Sequence, residues 1–483
     1  MTECVPTRAA HPDAGAVTYP VSYAQESLLD GVSESAITVP AVARVGACVR
    51  PAQVQQALEV LVARHDALRT VFGRSASGAG RSAAGAGGSA AGAGGSAAGA
   101  GGSAAGAGGS VAGAGGSAGG AVVGHVRPFG AVPLTVTERR TRPADLLARV
   151  LLAGAERPFV LAGAPPARAE LHLVGSAGGL VVLWLHHAIS DLVSVQVLAE
   201  ELGRLLRGSA LAEPGRPMAE VAAAERAVRP TARQRDYWAA ALDGADAWLG
   251  LPVPAGTPHQ LIRPALPRLA ADVVDRLGRL AADHRTTVTT VLAAAVLAAH
   301  AGDAAADTAV LGLTVSNRDH PQLRSTVGCL ADQLPLVVDL RGRPTFGELV
   351  GRVREALLDA YDHRLPLGLL LPLLGRTRAP VFGVNLNFLP PARRPGLAPE
   401  PGLPCGITKR RAEPWWLGDA ALAYRPRIDA GGLSGEIEGD AHLQDPEEIR
   451  RCGQRFCALL AAVSENPYLD VRSLGGQPAG GGR

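Results

Sequence analysis

Segments patterned as strands alternate with segments patterned as helices through both halves of this 483-residue chain. That alternation restricts the fold to an α/β class, or α+β with mixed sheets, because each amphipathic element must bury its apolar side against another layer. In the first half, residues 54–64 carry Val54, Leu58, Leu61 and Val62 on one helical face. Residues 171–174 and 180–185 read as two strands around the turn GSAGG. Residues 194–207 read as a helix, with Val195, Leu198, Leu202 and Leu205 at spacings of three, four and three. The Pro-, Glu- and Arg-rich span 212–233 reads as an inter-lobe connection. Beyond it the pattern predicts helices over 273–284, 287–300, 345–361 and 447–465, and strands over 308–315, 334–340, 381–388 and 433–438. This length exceeds one typical core, so two lobes are expected. The expected divisions are a flexible start over 1–15, an N-terminal lobe over 16–225, a C-terminal lobe over 226–474 and a flexible tail over 475–483.

One segment stands outside the alternation. From Gly85 to Gly119 the chain repeats GAGGSAA three times, then GAGGSVA and GAGGSAG. Between Ser82 and Gly120 there is no charge and no large side chain except Val111. Such a stretch has too little apolar area to offset an ordering cost of roughly 1–2 kcal/mol per residue. The region 75–121 is therefore expected to be a disordered loop inserted within one domain, either as a tether or association element or as repeat slippage tolerated at a surface.

Composition narrows the function classes. Net charge is +3 with acids and bases mixed, so no nucleic-acid footprint is present. A modest positive balance is compatible with an acidic partner. The six cysteines, Cys4, Cys48, Cys329, Cys405, Cys452 and Cys457, suit neither a zinc site nor a disulfide framework. The first residues lack the apolar core of a secretory signal, and no uncharged apolar run reaches membrane-spanning length. A soluble, cytoplasmic monomer without a metal is expected.

Chemistry concentrates in LWLHHAISDLVS, residues 183–194. An apolar strand ends in His186 and His187, a short turn follows, and Asp191 stands at the start of a helix. Adjacent strand residues point to opposite faces, so only one histidine can face a given cavity. An imidazole titrates near neutrality and can take a proton from an attacking amine or hydroxyl. A carboxylate at a helix start is favoured by the unpaired N–H groups there.

HHAISD resembles the HHxxxDG signature of the condensation domains of nonribosomal peptide synthetases, shared with chloramphenicol-acetyltransferase-like acyltransferases. Further stretches resemble the family's motifs in order: VSYAQESLL (21–29, through Ser22, Ala24 and Gln25), RHDALRTVF (64–72), RPFVLAGAPPARAEL (157–171), DYWAAAL (236–242) and SNRDHPQLRSTVGCLADQLPLVVDL (316–340). YDHRLPLGLLL and APVFGVNLNF resemble the last two. The resemblance spans about 16–474, the repeats excepted.

It implies two chloramphenicol-acetyltransferase-like lobes in a V, with a central tunnel entered by phosphopantetheine arms of peptidyl or acyl carrier proteins. His187 would face the tunnel as catalytic group. His186, Asp191 and Arg318 would be structural, with Asp191 paired to Arg318. No permanently bound cofactor is implied; the phosphopantetheine comes with the carrier. The implied function is a stand-alone condensation enzyme forming an amide or ester between a carrier-bound acyl or aminoacyl thioester and a small-molecule or carrier-bound acceptor. An acyl-CoA-dependent acyltransferase and a non-catalytic docking module are the alternatives.

The departures fall at identifiable positions. Leu192 replaces the family's glycine and is expected to fill space, narrowing the channel or shifting the loop. Ser27 stands where arginine is usual, and Asp332, Gln333 and Val337 replace an Asn-Thr pair and a later arginine. Ser194, Asp332, Gln333 and Trp415 are candidate tunnel or substrate residues with Leu192; Ser194 alternatively reads as a helix-start hydroxyl, and Trp415 and Trp416 as packing. His363 reads as a structural turn residue.

Overall fold

The computed structural model describes residues 16–29, 34–35, 37–75, 120–128, 130–139, 143–155, 157–161, 163–247, 249, 251, 260–300, 307–342, 344–375, 382–388 and 420–471. The repeats, Trp415, Trp416, Cys4, Cys405 and both termini lie outside the described residues.

Two buried cores are present. The first is built on a four-stranded sheet in the order Thr38–Val45, Gly179–His186, Ala167–Leu173, Leu134–Glu138. Its first three strands are antiparallel, and the last joins in parallel. From Leu180 to His186 the strand is buried at every position, so its near-continuous apolar run needs cover on both faces. The helix Leu192–Leu206 packs back on Thr38–Val45 and on the helix Pro51–Arg64.

The second core lies around a six-stranded mixed sheet in the order Leu261–Ile262, Gly432–Asp440, Leu422–Asp429, Val384–Leu386, Thr308–Val315, Asp332–Asp339. The helices Ala271–Asp283, Val288–His300, Phe346–Asp362 and Pro446–Glu465 cover it. Val288–His300 is buried from Thr290 to His300, in keeping with its nearly uncharged sequence.

The span 212–233, read from its composition as an inter-lobe connection, runs between the two cores. It contains the helix Met218–Ala227 and the start of the helix Ala232–Leu242. Pro217 and Thr231 sit at the two N-caps, where proline and threonine help start helices instead of breaking them. Met218 and Ala222 pack on the first core and Trp238 on the second, so the chain changes cores between the two helices. Asp66 secures the first of them by accepting from the Met218 and Ala219 N–H groups at 2.9 Å each. A later stretch crosses back: Val327, Cys329 and Leu330 join the first core from the second half of the sequence.

Two strands without a clear sequence signature contain proline. Pro40 lies in Thr38–Val45, at a sheet edge, where a missing N–H is tolerated. Pro426 lies in Leu422–Asp429 beyond Tyr424, where pairing with Val384–Leu386 has ended. Thr70–Arg74 and Val122–Val126 pair antiparallel with Arg74 opposite Val122, so the described residues on either side of the repeats are neighbours in one small sheet.

Candidate active site

The strand Gly179–His186 ends where His186 pairs with Thr38, and His187 opens a 3₁₀ turn, His187–Ile189. The two histidines are thus separated by a change of backbone as well as by strand alternation. Both are buried. The His186 Nδ1 accepts from the Ala188 N–H at 3.1 Å, and burial together with neighbouring His187 pushes its pKa down to about 3. His186 is therefore a neutral element of the turn.

His187 is held differently. Its Nδ1 lies 2.6 Å from the Ser190 carbonyl oxygen, which can only accept. Nδ1 therefore carries the hydrogen, and the lone pair of the neutral ring sits on Nε2. Burial lowers the His187 pKa, and its hydrogen bond to Ser190 and the field of Asp191 oppose that. A neutral imidazole with a fixed tautomer is the form needed to accept a proton. Cys329, from the crossing segment, places Sγ 4.0 Å from Nδ1. Burial and the fields of Asp191, Glu225 and Asp332 push its thiol well up, so it remains protonated.

The turn is braced from the start of the chain. Ser22 and Gln25 cap each other's backbone across the first turn of the helix Tyr23–Leu29. The buried Gln25 then donates from Nε2 to the Ala188 carbonyl at 2.8 Å. The S-x-A-Q motif thus supports the turn that carries His187. Ser27, two residues beyond Gln25, donates to the Ala24 carbonyl at 2.8 Å.

Asp191 caps the helix Leu192–Leu206 by accepting from the Ser194 N–H at 2.8 Å. Its oxygens also lie 2.7 and 2.8 Å from one Arg318 nitrogen, Nη2, and the Leu330 N–H donates to Oδ2 at 3.1 Å. The Arg318 Nη1 donates to the Leu323 and Thr326 carbonyls at 2.7 and 2.8 Å. Burial alone would raise the Asp191 pKa, but Arg318 and Ser194 overrule it and hold the carboxyl below its ordinary range. The chain turns through the left-handed region at Asn317 (φ +55°), immediately before Arg318, a conformation asparagine tolerates better than most residues.

Ser194 is fully buried, and its Oγ lies 2.8 Å from the Gly328 carbonyl and 3.0 Å from the Gly328 N–H. Asp191, Ser194 and Arg318 together bind the crossing segment to the first lobe. These contacts occupy the Ser194 hydroxyl with protein partners. Leu192 is the first residue of its helix, is half-buried and packs on the first core. It is absent from the positive-φ positions, so leucine fits this backbone without strain.

The C-terminal positions are brought together less directly. Gln333 joins Thr314 and Asn385 in a polar cluster across three strands of the second sheet. Arg425, on the same sheet, contributes a field that lowers the His187 pKa and is itself 2.8 Å from Glu438. Asp332, at the start of its strand, accepts from the Leu367 N–H at 3.1 Å. His363 ends the helix Phe346–Asp362, stacks on Tyr237 at 4.0 Å, and offers its carbonyl to Trp238 Nε1 at 2.8 Å. Among the described residues, no cluster of three or more His, Cys, Asp or Glu side chains is arranged to hold a metal ion, and no helix is long and apolar enough to cross a membrane.

Gln25, Cys329, Glu225 and Arg425 carry no assigned role in the sequence reading. Gln25 and Cys329 lie within quoted motifs, the first and the 316–340 stretch, but neither was given a role of its own. The others depend on contacts or fields between segments more than 100 residues apart.

The chain matches the family model of the condensation domain over residues 120–475. It is similar to a linear gramicidin synthase protein of Brevibacillus parabrevis, 30% identical over 379 residues, which covers 71% of this chain and 5% of that protein. It is also 29% identical over 367 residues to the phosphinothricin tripeptide synthetase PhsB of Streptomyces viridochromogenes, covering 72% of this chain and 30% of that protein. The chain thus spans a small part of these relatives. Its fold is similar to the X-domain from teicoplanin biosynthesis, with TM-score 0.68, 22% identity and coverage of 94% of this chain and 96% of that one. The first condensation domain of the calcium-dependent antibiotic synthetase gives TM-score 0.68 at 19% identity, covering 94% and 98%. With the paired histidines, the buried Asp191 and the two-core mixed α/β fold, these matches place the chain in the condensation domain family of the nonribosomal peptide synthetases.

Proposed function

We propose that this chain is a stand-alone condensation enzyme. It joins an acyl or aminoacyl group, carried as a phosphopantetheine thioester on a carrier protein, to the amine or hydroxyl of an acceptor. The acceptor nitrogen or oxygen attacks the thioester carbonyl, a C–N or C–O bond forms, and the C–S bond breaks. His187 accepts the proton lost by the nucleophile at Nε2, or holds the nucleophile in place, and the leaving thiolate receives a proton. Residues Asp191, Arg318 and His186 keep this turn in position; Leu192, Ser194, Asp332, Gln333 and Trp415 are proposed to shape the space around it.

The observation that carries this reading is the fixed His187 tautomer: Nδ1 donates to the Ser190 carbonyl at 2.6 Å, and burial keeps the ring neutral. General-base catalysis of this kind is typically worth about 10²–10⁴-fold. The test incubates a carrier loaded with a candidate acyl group with amine and hydroxyl acceptors, then follows product and carrier by intact mass. His187→Ala should lower the rate by about 10²-fold or more; equal rates in the variant and the parent would remove His187 from the mechanism. Turnover with acyl-CoA but not with a loaded carrier would favour the acyl-CoA reading. Tight partner binding without product from the parent protein would favour docking.

A further inference from the structure

The turn that carries His187 is fixed by two side chains. The Ala188 N–H donates to His186 Nδ1 at 3.1 Å, and the Ala188 carbonyl accepts from Gln25 Nε2 at 2.8 Å. These groups belong to successive planar peptide units, so His186 and Gln25 together set the orientation of the turn. His186 is held by its own strand, Gly179–His186. Gln25 is held by Ser22: its Oε1 accepts from the Ser22 N–H at 3.0 Å, and its N–H donates to the Ser22 Oγ at 3.1 Å.

Residues 21–26 are in turn gripped by a remote segment. Arg226 lies in the last turn of the helix Met218–Ala227, within the span that leads from the first core to the second. Its Nε donates to the Val21 carbonyl at 2.6 Å. Its Nη2 donates to the Ser22 carbonyl at 3.4 Å and to Glu26 Oε2 at 2.6 Å. The guanidinium carbon lies 3.9 Å from the centre of the Tyr23 ring. Neighbouring Glu225 accepts from the Tyr23 N–H at 2.8 Å. The opening motif has Ser27 where arginine is usual, and the guanidinium that grips it here is supplied by Arg226.

We propose that Arg226 is a positioning residue for His187. It acts through Val21 and Ser22 on Gln25, and through Gln25 on the Ala188 carbonyl. The inference rests on the reading of His187 as the group that receives the proton. The Arg226–Glu26 pair is partly exposed and contributes little by itself. The bonds to two successive backbone carbonyls fix residues 21 and 22, and a single ammonium cannot reproduce that fork. When the grip is released, the Ala188 carbonyl loses a fixed donor and the turn gains freedom. The Ser190 carbonyl is then no longer held at 2.6 Å from Nδ1, so the ring populates both neutral tautomers and Nε2 is less often the acceptor. A displacement of about 1 Å at a reacting group can cost about 10²-fold in rate.

Nitrogen NMR of the histidine rings in the full chain at neutral pH tests this, with the His187 signal assigned by its loss in His187→Gln. The parent protein should show the hydrogen on Nδ1. Arg226→Met keeps a stem against the Tyr23 ring but has no donors; it should give a mixed tautomer signal at His187. With a loaded carrier, it should lower kcat by about tenfold or more at unchanged KM. Gln25→Leu should do the same. Arg226→Lys keeps the charge beside Glu26 but not the paired donors, and should shift the signal part of the way. His363 is an internal control, because its Nδ1 also lies 2.9 Å from a carbonyl, that of Asp359, outside this chain of contacts. Its signal should stay constant in every variant. A His187 signal identical to the parent's in these variants, or equal changes at His187 and His363, would overturn the proposal. The spectra need no substrate, so absence of turnover in the parent would count against the condensation reading and leave this one to be decided by the tautomer.

Discussion

Two polar regions at the seam between the lobes are built from opposite electrostatic materials. At the first, Asp191 and Arg318 meet with side chains only 3% and 5% exposed; the Ser194 and Leu330 N–H groups donate to Asp191, and the Ser194 hydroxyl also bonds Gly328. At the second, half-buried Glu225 and Asp332 bring like charges toward one seam, each supported by a helix N–H. Burial disfavours the charged form of a carboxyl in both places. A guanidinium on Asp191 reverses that effect; no such pairing reverses it at Glu225. The first region is thus held in its ionised form, while the second has one carboxyl whose pKa is raised to about 7.

Arg318→Met probes the first contact with the largest expected effect. It leaves a buried carboxylate without its countercharge, and urea denaturation should show a loss of about 3–5 kcal/mol. A double variant, Asp191→Leu with Arg318→Met, should recover much of that loss; a loss equal to the sum of the single variants would mean that the two residues are not coupled. Ser194→Ala comes next, at about 1–3 kcal/mol, because the buried Gly328 N–H loses its acceptor. A change of only a few tenths would show that this hydroxyl does not fasten the crossing segment.

The pH response should separate the contacts by sign. Asp191, with its pKa held down, contributes stability above its ordinary value of 3.8 and loses it as pH falls through the folded-state value. Glu225 contributes on the acid side and loses it between 4.5 and about 7. Lowering the pH from about 8 to 5 should therefore stabilise the parent relative to Glu225→Gln, by on the order of 1 kcal/mol after allowance for solvent screening. Thermal melts of the two proteins across that range make the comparison; parallel curves would contradict it. Asp332→Asn should have the smallest effect, a few tenths of a kcal/mol at pH 7, with the midpoint of the response displaced downward.

Legibility in the sequence followed the locality of the interactions. The strand Thr308–Val315 was readable to its ends because its apolar run is long and punctuated. Thr38–Val45 and Leu422–Asp429 were not, because each includes a proline and at least one arginine, and the proline's acceptability depends on where the neighbouring strand stops. In the span 212–233 the composition marked the connection but not its helices, because proline at a helix start and proline in an open linker look alike until the helix is seen. At the candidate site, His186, His187 and Asp191 were visible because they lie within six residues on one strand, turn and helix. Cys329 is 142 residues from His187, and no periodicity connects them.

By itself the sequence determined the layered α/β class, the apolar strand leading to two histidines, and the ordered motifs that identify the family. Those features depend on residue type and short spacing, which determine periodicity and local capping. Tertiary structure alone decided which His187 nitrogen carries the hydrogen, that Ser194 fastens the lobes, and that Arg226 grips the residues that hold Gln25. Each of these depends on distances of a few ångströms between atoms from remote segments, and hydrogen bonding and burial respond to those distances, not to position along the chain.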